Sequence, residues 1–324
     1  MKRAFRILIG MALFAVAARA GATDITFATD WRAQAEHGGF YQALAKGYYA
    51  EAGLNVTIRP GGPQMDIPRL MAAGAIRIGM ASNSFQPIVM RGAGVPVTVI
   101  MTSFQKDPQV LMVHGDDPAE GMADLAGRPI FVADSALNTF WPWLKARFGF
   151  EDRQIRKYTY SLVPWLANKG SVQEGYLSSE PFAAQQAGAN PKVFLFSDAG
   201  YAGYAAMVMA RDDWLAANEG TARAFVAATV RGWQDYIWGD PAPGNRLILK
   251  DNPEMTPELI AYGIHAMRDR DVLGAKTAVG HMDAGRWDRF YRDMRALDAV
   301  PAGVDMQDVF TNAYLPPAGD GALP

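Results

Sequence analysis

The chain has 324 residues, 50% of them hydrophobic and 20% charged, with a formal net charge of −2 and no cysteine. That length and apolar content provide for one large or two smaller packed domains and exclude an extensively disordered chain. The mild acidity argues against a nucleic-acid partner, and a chain without cysteine cannot carry disulfides, thiolate metal sites or a lipidated N-terminal Cys.

In chain order, Lys2, Arg3 and Arg6 lead into an apolar run over residues 7–18, followed by Ala18-Arg19-Ala20 and Ala20-Gly21-Ala22. A charged start, a short apolar stretch and small residues at a cleavage point make a secretory signal peptide over residues 1–22, cleaved after Ala20 or Ala22. The run is too short to span a bilayer comfortably. Cleavage removes four basic residues and no acid, taking the formal charge to −6. The expected location is therefore the bacterial periplasm, without a lipid anchor.

The mature part opens with a strand over residues 25–29 and a helix over 37–52, with Phe40, Tyr41, Leu44 and Tyr48 at helical spacing and a stop at Gly53. A strand over 55–59, a helix over 67–73, a strand over 76–80, a helix over 85–91 and a strand over 97–102 follow. Strand alternating with helix predicts an α/β lobe with a mostly parallel sheet and right-handed crossovers. The pattern restarts after about Lys106, with strands over 110–113 and 130–133, a helix over 139–148, and strands over 157–160, 193–196 and 205–210. From Asp213 the chain reads helical, over 214–238, 257–270 and 285–297, before a Pro- and Gly-rich tail over 316–324 expected to be disordered. The chain is expected to leave the first lobe (23–104 and 205–315) near Phe104, build the second (105–204), and return near 197–204. Two crossings make a hinge, and a hinge permits closure on a ligand.

Two segments repeat ninety-six residues apart: Leu70 to Ser84, with Gly74, Gly79 and Ser82, and Leu166 to Glu180, with Gly170, Gly175 and Ser178. Each copy reads as a helix ending in a Gly cap, a short strand, and a Ser-rich turn opening the next helix.

In an open α/β sheet, ligands sit beyond the carboxyl ends of strands. The turns there carry Trp31, His37, Gly38 and Gly39; Ser82, Asn83 and Ser84; Asn138, Thr139 and Trp141; and Ser178, Ser179 and Glu180. Gly38 and Gly39 would admit close backbone approach by a ligand, and Trp31 would either stack on it or pack in the core. Ser82 and Ser178 read as N-caps or ligand contacts, and His37 as a ligand-orienting group or a cap. Glu180 replaces the Ser84 of the first copy and opens a helix, where a carboxylate is favoured; it would accept hydrogen bonds from an amino-substituted or protonated ring. Only Arg32 lies in these turns, and no arginine pair is placed to clamp an anion. The histidines, His37, His114, His265 and His281, lack ligand spacing, so no metal and no cofactor are expected.

Asp30-Trp31, Ala45 to Tyr49, Glu51 to Leu54, Gly94 to Val97, Leu125 to Gly127, Ser179 to Pro181, Arg231 to Trp233 and Phe310 to Tyr314 fall in the order seen in NMT1/THI5-like proteins, which the mature chain resembles along nearly its whole length. That family includes periplasmic binding proteins of ABC importers for thiamine-precursor pyrimidines and is related to the sulfonate, taurine and nitrate binders. The resemblance implies a type II periplasmic-binding fold of two lobes joined by a two-strand hinge, a small-molecule ligand, an ABC permease as partner, and a monomer. In the pyrimidine binders an aromatic after the first strand and a Glu in a Glu-Pro turn contact the ring, which maps onto Trp31 and Glu180. The family also contains pyrimidine synthases, which carry a lysine, a histidine and a Cys-rich iron motif. Ala81 and Phe85 occupy the lysine and histidine places here, so enzymatic activity is not expected.

The expected function is thus periplasmic capture of a heterocycle, an aminopyrimidine first. A sulfonate- or nitrate-like anion is the alternative within the same class.

Overall fold

Leu54–Arg59, with alternating burial, and Val97–Phe104, buried along nearly its whole length, become the two edge strands of one sheet, the second covered on its outer side by bridges to Phe310 and Gly280. The computed structural model describes residues 21–317. The expected signal segment therefore lies almost wholly outside the described residues, as does the tail beyond residue 317.

The elements run β1 (Thr23–Ala28), α1 (Gly38–Ala45), α2 (Tyr48–Glu51), β2 (Leu54–Arg59), α3 (Ile67–Ala72), β3 (Ile78–Asn83), α4 (Phe85–Gly92) and β4 (Val97–Phe104). There follow β5 (Gln109–His114), β6 (Ile130–Val132), α5 (Phe140–Phe148), β7 (Ile155–Lys157), α6 (Val163–Ala167), β8 (Val172–Tyr176), α7 (Glu180–Gln186) and β9 (Pro191–Leu195). The last part holds β10 (Ala205–Arg211), α8 (Asp212–Ala217), α9 (Glu219–Trp238), α10 (Ala242–Asp251), α11 (Pro257–Asp269), α12 (Ala284–Ala296) and α13 (Met306–Val309). The expected helix over 37–52 is split at Gly47, whose φ of 76° ends α1, and that over 214–238 is split at Asn218. Helix α10 follows Pro241, and its weak apolar pattern hid it from sequence reading.

Two five-stranded sheets result, ordered β2-β1-β3-β10-β4 and β7-β6-β8-β5-β9. They are built alike: β6, β7 and β8 stand where β1, β2 and β3 stand. The repeated segment lands on α3-β3-α4 and α6-β8-α7. Each sheet has four strands running one way, as expected of a mostly parallel sheet, and one running against them. β10 runs antiparallel to β3 and β4, and β5 runs antiparallel to β8 and β9. Each odd strand is the first one laid down after the chain has crossed between sheets, and hydrophobic periodicity carries no information about strand direction.

The crossings, residues 105–108 and 196–204, are fastened to the C-terminal helices. The Lys106 amide donates to Val272 O at 3.0 Å and its Nζ to Arg270 O at 2.9 Å. Arg286 donates to the carbonyls of Ala202 (2.6 Å) and Gly203 (2.9 Å) and lies over the Tyr204 ring at 3.9 Å. These contacts tie both crossings to the C-terminal part of the chain.

Candidate functional site

The turn after β1, with Trp31 and Glu36, meets the turns after β7 and β8, with Tyr160 and Ser178, and the line where these walls meet is the candidate cleft. On the first wall, Thr29 Oγ1 donates to Trp31 O at 2.9 Å, and the Gly61 amide donates to Trp31 O at 2.9 Å. A Cβ on Gly61 would fall 2.4 Å from Thr29 O, so only glycine lets the loop after β2 brace this turn. The turn presents Trp31 to the second wall, where its ring meets that of Tyr160 at a centroid distance of 5.1 Å. Tyr160 is 55% exposed and holds a φ of 60°, a left-handed conformation that costs a bulky residue energy and recurs at ligand sites.

Glu180 supplies the polar centre of the second wall. One carboxylate oxygen accepts from the Tyr176 amide (2.7 Å) and the Ser179 hydroxyl (2.6 Å), and the other from the Tyr158 hydroxyl (3.1 Å). Three donors from three directions fix its orientation, and a carboxylate with about four acceptor positions retains one for a further donor. The glycine of the repeat makes this possible: a Cβ on Gly175 would sit 2.7 Å from Glu180 Cβ. Burial first, then the negative charge of Glu180, pushes the Tyr158 phenol well above its ordinary value, so it stays a donor.

The walls touch at three further places. Ser178 donates to Glu36 from across the cleft. Phe182 of α7 meets Tyr262 of α11 at 5.2 Å. Gly263 lets α11 wedge between the lobes, since a Cβ there would fall 2.9 Å from Ala35 Cβ and 3.2 Å from Ser178 O. Both Glu36 and Glu174 are buried, and burial raises the carboxyl of each, Glu174 to about 8 even though the Ala133 amide donates to it at 2.5 Å.

Of the residues singled out in the sequence, Trp31 and Glu180 face the cleft as described. His37 does not cap α1; its Nε2 pairs with Asp30 at 3.2 Å and its Nδ1 is buried without a partner. Ser82 and Asn83 remain in β3 and are held by Gln86 and by the Phe85 amide, respectively. Several expectations need correction. Gly38 and Gly39 serve helix packing, because a Cβ would lie 1.9 Å from the Tyr236 ring and 2.1 Å from that of Trp233. Ser84 is buried and turns both its donor and its acceptor to the Tyr204 backbone, at 3.2 and 2.8 Å. Trp141 is a core residue of the second lobe, bonded to Asp152 at 2.9 Å and packed on Phe150. Thr139 donates to Ser135 O at 2.9 Å, and Asn138 is exposed. Neither repeated serine caps its helix, and Gly170 lacks the left-handed φ of 69° found at Gly74; Asn168 closes that helix instead.

Sequence reading missed Glu36, Tyr158, Tyr160, Glu174 and Tyr176. A signal for Glu174 existed: it stands ninety-six residues from Ile78, and a carboxylate replacing an apolar residue inside a buried strand needs a reason.

The two-lobed α/β fold with its cleft between the lobes is that of periplasmic binding proteins. The model for the family described as "NMT1/THI5 like" matches residues 34–242, and the chain belongs to that family. A curated relative, the riboflavin-binding protein RibY of Chloroflexus aurantiacus, is 25% identical over 304 residues, covering 90% of this chain and 86% of RibY. Among solved structures, the periplasmic aliphatic sulphonate binding protein SsuA from Escherichia coli superposes with a TM-score of 0.67 at 13% identity, covering 89% of this chain and 92% of SsuA. The desulfurization enzyme DszB superposes with a TM-score of 0.61 at 13% identity, covering 90% and 97%. The same architecture thus serves binding and catalysis, and only the residues of the cleft can separate them. No helix among the described residues is long and apolar enough to cross a membrane.

Proposed function

We propose that this protein is the substrate-binding component of an ABC importer, exported to the periplasm, acting as a monomer, and closing on a small flat nitrogen heterocycle that it delivers to a membrane permease. A thiamine-precursor aminopyrimidine is the first ligand the cleft suits. The lobes that close are residues 23–104 with 205–315, and 105–204. The observation that carries this reading is the pairing of Trp31 with Tyr160 from opposite walls, beside a Glu180 carboxylate oriented by three donors. Aromatic faces recognise a flat ring, and the open acceptor position on Glu180 recognises a ring amino or N–H group.

Charge speaks against the anion alternative. The basic residues of the segments that carry the site are engaged, Arg32 with Glu254 and Lys157 with Asp134, and Arg286 is held by the hinge carbonyls. Catalysis has no support either: Ala81 and Phe85 are buried apolar residues where the synthases carry lysine and histidine.

Riboflavin is a second reading, favoured by the likeness to RibY. Its isoalloxazine contains a pyrimidine ring with an N–H donor and offers a broad face for stacking, so the same three residues would receive it.

A thermal-shift panel tests the proposal. Hydroxymethylpyrimidine, formylaminopyrimidine or riboflavin at about a hundred times Kd should add about 2.7 kcal/mol, roughly 5 °C in a chain of this size. Taurine and alkanesulfonates should leave the midpoint unchanged. A shift with the sulfonates alone would refute the heterocycle reading.

A further inference from the structure

The hydrogen bonds on Glu180 give the second wall a polarity. Oε2 accepts both the Tyr176 amide and the Ser179 hydroxyl, at 2.7 and 2.6 Å, so its lone pairs are engaged. Oε1 accepts only the Tyr158 hydroxyl, at 3.1 Å, and keeps one lone pair. The Tyr158 oxygen has spent its proton on that bond, so it too can only accept. Two acceptors 3.1 Å apart therefore remain, and neither has a hydrogen to give to a ligand.

This acceptor pair adjoins the stacking residues. The Tyr158 ring lies 5.3 Å from that of Tyr160, and the Tyr160 ring 5.1 Å from that of Trp31, centroid to centroid. Tyr158 is buried and its amide donates to Val132 O at 2.9 Å, so backbone and ring are held while the hydroxyl proton can turn. Burial first, then the charge of Glu180, keeps that phenol protonated.

The donors around position 180 differ in freedom. The Tyr176 amide is a backbone N–H and cannot rotate, so the side chain at 180 must offer it an acceptor. The Tyr158 hydroxyl can either donate or accept. Its sense is therefore set by whatever side chain stands at 180.

We propose that Tyr158 is a specificity-determining residue whose hydroxyl is switched by the side chain at 180: with Glu180 the two present an acceptor pair that selects an amino edge of the heterocycle and rejects a carbonyl. This rests on the heterocycle reading given above and ranks its two ligands. An exocyclic amino group turns two hydrogens toward the pair, whereas the N–H of the isoalloxazine is flanked by carbonyls whose lone pairs would meet it. In Glu180→Gln the single acceptor must turn to the Tyr176 amide, because the opposite orientation sets N–H against N–H. The glutamine amino group then takes the place of Oε1 and donates to Tyr158, whose proton is released toward the ligand. The acceptor pair becomes a donor pair, and the selected edge changes from amino to carbonyl.

Hydroxymethylpyrimidine and its oxo counterpart, in which a ring carbonyl replaces the exocyclic amino group, are suitable probes. Calorimetric titration of wild type should show the amino form binding at least about tenfold tighter. Glu180→Gln should reverse the order, the oxo form gaining affinity over its wild-type value while the amino form loses. Adding Tyr158→Phe to that variant keeps the ring and removes the hydroxyl, and should cut the affinity gained by the oxo form by roughly three- to tenfold. Equal affinities in wild type, or tighter binding of the oxo form there, overturn the proposal without any variant having to fold. A Glu180→Gln protein that keeps its thermal midpoint and still prefers the amino form overturns it as well. In each of these results a pyrimidine still binds wild type, so the heterocycle reading stands. Saturable heat from taurine, with none from either pyrimidine or from riboflavin, removes both.

Discussion

Glu180→Gln is expected to weaken ligand binding by roughly 10- to 100-fold, the range for losing a hydrogen bond to a charged group. The carboxylate accepts the Tyr176 amide and the Ser179 hydroxyl on one oxygen and the Tyr158 hydroxyl on the other. A glutamine amide has a single acceptor oxygen, so one side of the group would present N–H to a donor that now finds an acceptor. The substitution thus removes the charge and disturbs the donors that aim it. Because Glu180 is only partly buried, the folded chain should keep most of its thermal stability. Titration of the variant with the ligand that binds wild type is the check, and full retention of affinity would remove Glu180 from the site.

Gly39→Ala should have the largest effect on stability, at about 3 kcal/mol or more. The added methyl would enter the Trp233 ring at 2.1 Å. That ring is fully buried and wedged between Phe40 and Phe104 at centroid distances of 5.7 and 5.5 Å. The helix backbones cannot separate cheaply either, because a Cβ on Gly232 would already meet Gly39 O at 2.3 Å. Overpacking of this kind costs about 1–3 kcal/mol when neighbours can yield and more when they cannot, whereas the helix propensity gained by alanine returns only about 1 kcal/mol. Denaturant unfolding measures the difference. A variant as stable as wild type would show that α1 and α9 are not locked at this crossing.

These two residues show how unevenly sequence reveals a site. Glu180 was legible as a candidate because the repeat set it against Ser84, and a mismatch within a repeat singles out a residue. Gly39 was legible as a glycine that something approaches closely, but nothing local distinguishes a ligand from an indole ring supplied almost two hundred residues later. Trp141 misled for a related reason: its turn has the polar character of a ligand site, while its ring is committed to Asp152 and Phe150 inside the second lobe. Tyr160 and Glu36 escaped notice because their significance depends on the other wall. Each is an ordinary residue in its own segment, and only the meeting of the two walls pairs Tyr160 with Trp31 and Glu36 with Ser178.

The fold was easier to read. Element positions follow from runs of apolar residues ended by glycine, as at Gly53, Gly94 and Gly149, whose φ values of 75°, 77° and 71° suit no other residue well. The directions of β5 and β10 depend on where the chain goes after each crossing, and that is settled by pairing with distant strands.

Calorimetric titration of the protein with hydroxymethylpyrimidine and riboflavin, with taurine as the opposing ligand, tests the central claim most directly. Saturable heat at a single site from a heterocycle, with none from taurine at millimolar concentration, is the result expected of a cleft lined by Trp31, Tyr160 and Glu180. Saturable heat from taurine, with none from either heterocycle, would contradict it.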